Sequence, residues 1–151
     1  MRNPKTGQRL KADLDSLLQV FVDTVAWIAL LNLSDGLHTP AQQVMHDLRR
    51  QNARLVTTEF VLIEVADALS APSVRAHTIT FIKGLRQLAI LHIIPASPNL
   101  LADGWTLYSQ RPDKEWSLTD CISFVVMTHE HITRAFTSDH HFEQAGFVKL
   151  L

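Results

Sequence analysis

The sequence predicts an α/β fold, a single domain built on a largely parallel sheet of five strands. Two observations carry this. From residue 20 onward, short apolar or β-branched runs alternate with amphipathic segments of helical period. The chain has 151 residues, 46% hydrophobic and 19% charged, which suits one domain with one apolar core.

The elements follow in chain order. Residues 1–19 are polar, with Pro4, Gly7 and mixed charges, and read as an arm that ends in a short helix at Leu14–Leu18. Residues 20–151 form the folded domain. Val20–Val22 is a buried strand that stops at Asp23, and a helix follows through Trp27 and Leu31. Thr39-Pro40-Ala41-Gln42 starts the next helix, with Thr39 as N-cap and Pro at the first position. Leu55–Thr57 is a second strand, followed by an apolar helix over Glu59–Leu69. Pro72 breaks that helix and starts another, in which Val74, Thr78, Phe81, Ile82 and Leu85 recur at helical spacing. Ile90–Ile94 is a third strand. Ser97-Pro98 opens a helix to about Ser109, and Gln110–Glu115 is a loop. Ser117 opens a helix through His129. Thr133–Thr137 is a fourth strand, His140–Ala145 a short helix closed by Gly146, and Phe147–Leu150 a fifth strand.

Composition excludes several classes of function. The net charge of −1 shows no overall basic field, although a local basic groove stays open. The longest apolar stretch, Val20–Leu33, is interrupted by Asp23 and Asn32 and falls short of a membrane span. Basic residues at the N-terminus are followed by no uninterrupted apolar region and no A-x-A-like cleavage site, so a cytoplasmic protein is expected. The one cysteine, Cys121, excludes an internal disulfide and fits a reducing compartment. There is no G-x-S-x-G, Walker A or G-x-G-x-x-G sequence, which leaves serine hydrolase, P-loop and dinucleotide readings without support. His129-Glu130-His131 and His140-His141 match no standard zinc spacing, and these histidines read as surface or helix-end residues.

Four carboxylates stand out by placement. Asp23 ends the first strand and Asp139 lies just past the fourth. In parallel α/β sheets the reactive crevice lies outside the carboxyl ends of the strands, where strand order reverses. Glu64 sits inside the apolar run Val61–Ala66, and Asp120 lies in the first turn of its helix. Each has an ordinary structural alternative. Asp23 and Asp139 are at N-cap positions, Ser117-Leu118-Thr119-Asp120 resembles a capping box, and Glu64 has the option of a distant arginine. Taken together they point to a divalent cation, because a buried carboxylate needs a partner and oxygen-only ligands favour Mg²⁺ or Mn²⁺.

These residues also carry a resemblance. Val20-Phe21-Val22-Asp23-Thr24, Thr57-Thr58 with Ile63-Glu64, Ser117-Leu118-Thr119-Asp120-Cys121 and Thr137-Ser138-Asp139-His140-His141-Phe142 with Ala145-Gly146-Phe147 are similar to the motifs of PIN-domain proteins. More narrowly, the chain resembles VapC-type toxins of bacterial toxin–antitoxin pairs. The resemblance implies strand order 3-2-1-4-5 with helices on both faces. It implies a Mg²⁺- or Mn²⁺-dependent endoribonuclease that leaves a 5′-phosphate and a 3′-hydroxyl. It assigns Asp23, Glu64 and Asp120 as the main acids, Asp139 as the fourth and Thr137 as the supporting hydroxyl. Asp23, Asp120 and Asp139 would hold the metal, and Glu64 would act through a water. An RNA substrate, a cognate antitoxin and a homodimer are the implied partners. The arm before Val20 departs from the family, whose members often begin almost at the first strand.

Arg75, Arg111 and Lys114 are the cations expected at the crevice rim, each with solvated surface charge as its alternative. Trp27 and Trp105 read as core or interface, Trp116 as a hydrophobic staple beside the Ser117 cap, and Cys121 as a buried inert thiol. A non-catalytic domain that binds RNA or protein, and a hydrolase of small phosphoesters, remain as alternatives.

Overall fold

A computed structural model of the chain describes residues 17–151. Most of the expected arm, and most of its short helix, lies outside the described residues. Gln19 already belongs to the first strand. The elements are β1 (Gln19–Val22), α1 (Thr24–Leu31), α2 (His38–Arg50), β2 (Arg54–Thr58), α3 (Glu59–Ala68), α4 (Pro72–Leu85), β3 (Leu91–Ile94), α5 (Pro98–Gln110), α6 (Leu118–His129), β4 (Arg134–Phe136), α7 (His140–Gln144) and β5 (Val148–Lys149). All strand pairs are parallel, in the order β3-β2-β1-β4-β5. Right-handed crossovers in this order put α1–α4 on one face and α5–α7 on the other, with the reversal between β1 and β4.

β1 is the central strand, and its side chains serve both faces. Phe21 stacks on Phe142 of α7 at 6.3 Å, and Phe124 of α6 meets Phe142 edge-on at 4.9 Å. On the other face, Trp27 of α1 is buried, meets Phe81 edge-on and donates its indole N–H to Thr57 Oγ1 at 3.3 Å. Thr57 in turn donates to the Val22 carbonyl at 2.8 Å, a bond that ties β2 to the end of β1.

One device ends α2, α6 and α7. Asn52, His131 and Gly146 take positive φ, and the next residue's amide reaches back to the carbonyl of Leu48, Met127 and Phe142 respectively. This is the Schellman arrangement, and each instance delivers the chain to the start of a strand. Only the third was marked by a glycine in the sequence.

The start of α2 differs from expectation. The helix begins at His38, with Leu37 rather than Thr39 at the N-cap position and no side-chain cap. The Asp35 carboxylate accepts from the Leu37 amide, and His38 Nδ1 donates to the Ala29 carbonyl. These bonds to the preceding turn start the helix earlier, with Pro40 still inside the first turn, where no partner is needed for an N–H. The third, fourth and fifth strands are also shorter than the apolar runs that announced them, because a parallel ladder extends only as far as its neighbours pair.

α5 lies close against α6 at Gly104, where a Cβ would overlap the side chain of Ile122. Gly104→Ala is expected to destabilise the protein by about 1–3 kcal/mol despite alanine's better helix propensity. A lowered melting temperature checks this, and an unchanged or raised one would refute it.

Candidate active site

The carboxyl ends of β1 and β4 bring the acids together. Asp23 occupies the single residue between β1 and α1, and its amide donates to the Phe136 carbonyl across the strand reversal. It sits at the N-cap position of α1 yet makes no side-chain cap bond. The residue is 4% exposed, and its carboxylate instead accepts from the Thr137 hydroxyl at 2.8 Å. Burial pushes its pKa up to about 7. The Thr137 hydroxyl and the Thr24 amide pull it back, while the charges of Asp120 and Glu64 push it further up. Residues 97 and 41 positions apart in sequence from Asp23 thus face it as like charges.

Asp120 is both cap and site residue. Its Oδ2 accepts from the Ser117 amide at 2.9 Å, and the Ser117 hydroxyl accepts from the Asp120 amide at 3.0 Å, a closed capping box. Burial raises its carboxyl above the usual range, and Asp139 adds to this. The Ser117 amide and His141 act in the opposite sense. Asp139 caps α7, with Oδ1 accepting from the His141 amide at 2.9 Å. The capping alternatives are therefore real for Asp120 and Asp139, and each cap engages one carboxylate oxygen through these bonds. Thr137 links the strand ends, donating to Asp23 and accepting from the Asp139 amide at 3.1 Å. Glu64 is half-buried on α3 and, among the described residues, forms no ion pair.

His141 is the site residue that sequence reasoning missed. Its ring is largely buried, with Nδ1 3.3 Å from Asp120 Oδ2 and 3.4 Å from Asp139 Oδ1. It makes no well-aligned hydrogen bond to either. The available signal was its position two residues past Asp139, inside the short helix that Asp139 caps.

The site fits a divalent cation. Carboxylate oxygens from Asp23, Asp120, Asp139 and Glu64 suit Mg²⁺ or Mn²⁺, while among the described residues the ligand atoms that lie within 4.8 Å of one another are those of Asp139, His140 and His141. Three buried side-chain polar atoms lack a protein partner among the described residues. Thr24 Oγ1 is next to Asp23, His141 Nδ1 lies between two of the acids, and Gln19 Oε1 is the third.

The three rim cations divide. Arg111 and Lys114 lie in the loop leading to the Ser117 cap, with Arg111 4.9 Å and Lys114 6.0 Å from the centre of the Trp116 ring. Arg75 sits at the α3–α4 turn, where its guanidinium donates to the Ser70 carbonyl. Leu69 at that turn lines one recess with Leu31, at the far end of α1 from Asp23. Trp116 is buried, packs edge-on against Phe124 in the same cluster as Cys121, and donates its indole N–H to Gln144. Cys121 is buried, as expected.

A five-stranded parallel sheet with carboxylates gathered near its reversal point defines an α/β domain with an acidic ledge. The chain belongs to the PIN domain family, whose sequence profile matches residues 20–148. It is 26% identical over 131 residues to the 23S rRNA-specific endonuclease VapC20 of Mycobacterium tuberculosis, an alignment covering 87% of this chain and 97% of that protein. The crystal structure of VapC20, described as a Sarcin-Ricin loop cleaving toxin, superposes with a TM-score of 0.74, covering 85% of this chain and 96% of that one. The fold is shared with VapBC2 from Rickettsia felis, bound to a DNA fragment from its promoter (TM-score 0.66, 14% identity, 87% and 97% covered). It is shared too with FitAcB from Neisseria gonorrhoeae (TM-score 0.59, 15% identity, 86% and 95% covered). No helix among the described residues is long and apolar enough to cross a membrane.

Thr137→Val keeps the shape of this buried side chain but removes both of its hydrogen bonds. It is expected to lower cleavage activity about 10–100-fold, the range typical of groups that orient metal ligands. The measurement is kcat/KM on RNA at saturating Mn²⁺, with circular dichroism to confirm the fold; near-native activity would argue against the role.

Proposed function

We propose that this protein is a Mg²⁺- or Mn²⁺-dependent endoribonuclease that hydrolyses RNA phosphodiester bonds, the toxin of a type II toxin–antitoxin pair. The observation that carries this is the convergence of Asp23, Glu64, Asp120 and Asp139 at the strand reversal, with the buried Asp23 repelled by two of the others. The similarity to a named rRNA endonuclease over nearly the whole length of that protein supports RNA as the substrate.

When bound, a divalent cation would neutralise the acids, activate water and offset charge on the phosphate. Asp23, Asp120 and Asp139 are the residues that would hold it. Thr137 keeps the Asp23 carboxylate turned toward the other acids and fixes the backbone of Asp139. Glu64 orients the attacking water, and His141 spaces Asp120 from Asp139. Lys114 and Arg111 meet the RNA backbone at the rim, and Arg75, in the first turn of α4, is the third cation proposed to contact it. An antitoxin and a second copy of the chain are the proposed protein partners, with the cytoplasm as the compartment.

The test is incubation of antitoxin-free protein with a mixed RNA pool in Mg²⁺ or Mn²⁺, and again in EDTA. Cutting that requires the cation is expected. Binding of RNA and cation without any cutting would instead favour a non-catalytic binding domain.

A further inference from the structure

α5 carries two aromatic side chains that the core does not use. Trp105 is 50% and Tyr108 45% exposed, which removes the core half of the expectation that Trp105 is core or interface. They meet edge-on, with ring centres 5.5 Å apart, so each ring is held at a fixed angle by the other. Gly104 explains the exposure. The helix approaches α6 through its one buried residue, which leaves its neighbour Trp105 turned outward.

The same rings line a recess of about 360 Å³ together with Ser109, Arg111, Pro112 and Lys114. Two cations therefore share a concavity with two exposed aromatic rings. Arg111 is engaged by Asp113 in a two-point ion pair at 2.9 Å, whereas Lys114 makes no ion pair among the described residues. Along the chain, Lys114 of the recess is three residues before Ser117, whose amide donates to Asp120. Arg111 and Lys114 lie against Trp116, the residue just before the Ser117 cap that holds Asp120.

We propose that Trp105, Tyr108 and Lys114 form a platform for single-stranded RNA, on which a base flanking the cleavage point stacks while the ammonium meets its backbone. This deepens the nuclease reading and rests on it for the identity of the ligand. Exposed aromatic rings beside cations are the combination that holds single strands, because every base presents a π face and every nucleotide a phosphate. A duplex, whose bases are already stacked, gains little from such rings. The arrangement favours RNA over a second copy of the chain as occupant, since Lys114 and Arg111 at the recess add charge that a self-complementary apolar contact would have to desolvate.

The experiment measures binding and cutting separately. A fluorescent single-stranded RNA of roughly ten nucleotides, within the usual span of such sites, is titrated with the full chain in EDTA, where no cutting is expected. The same RNA annealed to its complement serves as the comparison. Trp105→Ala is expected to weaken single-strand binding about tenfold, the effect of losing one base stack, and to leave duplex binding unchanged. Trp105→Phe should restore most of the loss, and Lys114→Gln should reduce the salt dependence of binding.

Equal affinity of native protein and Trp105→Ala for the single strand would overturn the proposal. So would a native dimer that Trp105→Ala splits into monomers in size-exclusion chromatography, which would make the surface an interface between copies. Cutting in Mn²⁺ distinguishes the two levels. RNA held through Trp105 but never cut would remove the nuclease reading and leave the platform standing; cutting that is indifferent to Trp105 would do the reverse.

Discussion

Asp23→Asn is expected to cut RNA at least about a hundredfold more slowly than the native protein, a larger loss than supporting residues usually give. Asn preserves the size of the side chain and can still accept from the Thr137 hydroxyl, so the scaffold around it should survive. It cannot supply the negative charge that a hard cation needs. The metal-free variant should also be more stable than the native protein above neutral pH. There the native Asp23 is ionised while 4% exposed and faced by Asp120 and Glu64. With a carboxyl moved from 3.8 to about 7, that burden amounts to about 4 kcal/mol at 1.36 kcal/mol per unit. Lower activity joined to a higher melting temperature is the signature of a residue kept for chemistry rather than for the fold. Native activity in Asp23→Asn would remove Asp23 from the mechanism.

The second large effect is on the pH dependence of stability. Between the unfolded pKa of 3.8 and the folded value of about 7, the native state holds a proton on Asp23 that the unfolded chain has released. The contribution of Asp23 to the stability of the metal-free protein should therefore be greatest near or below pH 4, fall as pH rises toward 7, and level off above it. Asp120 is shifted in the same direction and adds to the slope. A bound cation reverses the disadvantage of ionisation, so Mn²⁺ should raise the melting temperature more at about pH 8 than at about pH 5.5. Melts in EDTA and in Mn²⁺ across this range, with Asp23→Asn as the reference that lacks the slope, make the measurement. A cation effect that does not vary with pH, or a slope unchanged in Asp23→Asn, would refute the assignment.

Much of the fold was legible because its signals are local. The Ser117–Asp120 box, the Ser97-Pro98 start of α5, the Pro72 break and the Gly146 stop are each read within a few residues, and each appears in the structure. Thr39 failed as an N-cap because its competitors, Asp35 and the Ala29 carbonyl, act through a turn whose geometry the sequence does not display. Three of the proposed acids were legible by their position at strand ends or helix starts. Glu64 was legible by contrast with its apolar neighbours.

What the sequence determined by itself was the succession of strands and helices, and which carboxylates stand where strands end. Periodicity, caps and turn residues act over one or two turns of chain, so they survive reading without coordinates. The tertiary structure decided what those residues meet. Thr137 reaches Asp23 across 114 positions, His141 settles between Asp120 and Asp139, and Trp105 turns outward. Each of these depends on the parallel pairing of β1 with β4 or on the close approach of α5 to α6. Such contacts follow from burying both faces of one sheet at once, a condition on the whole chain that no local stretch of it expresses.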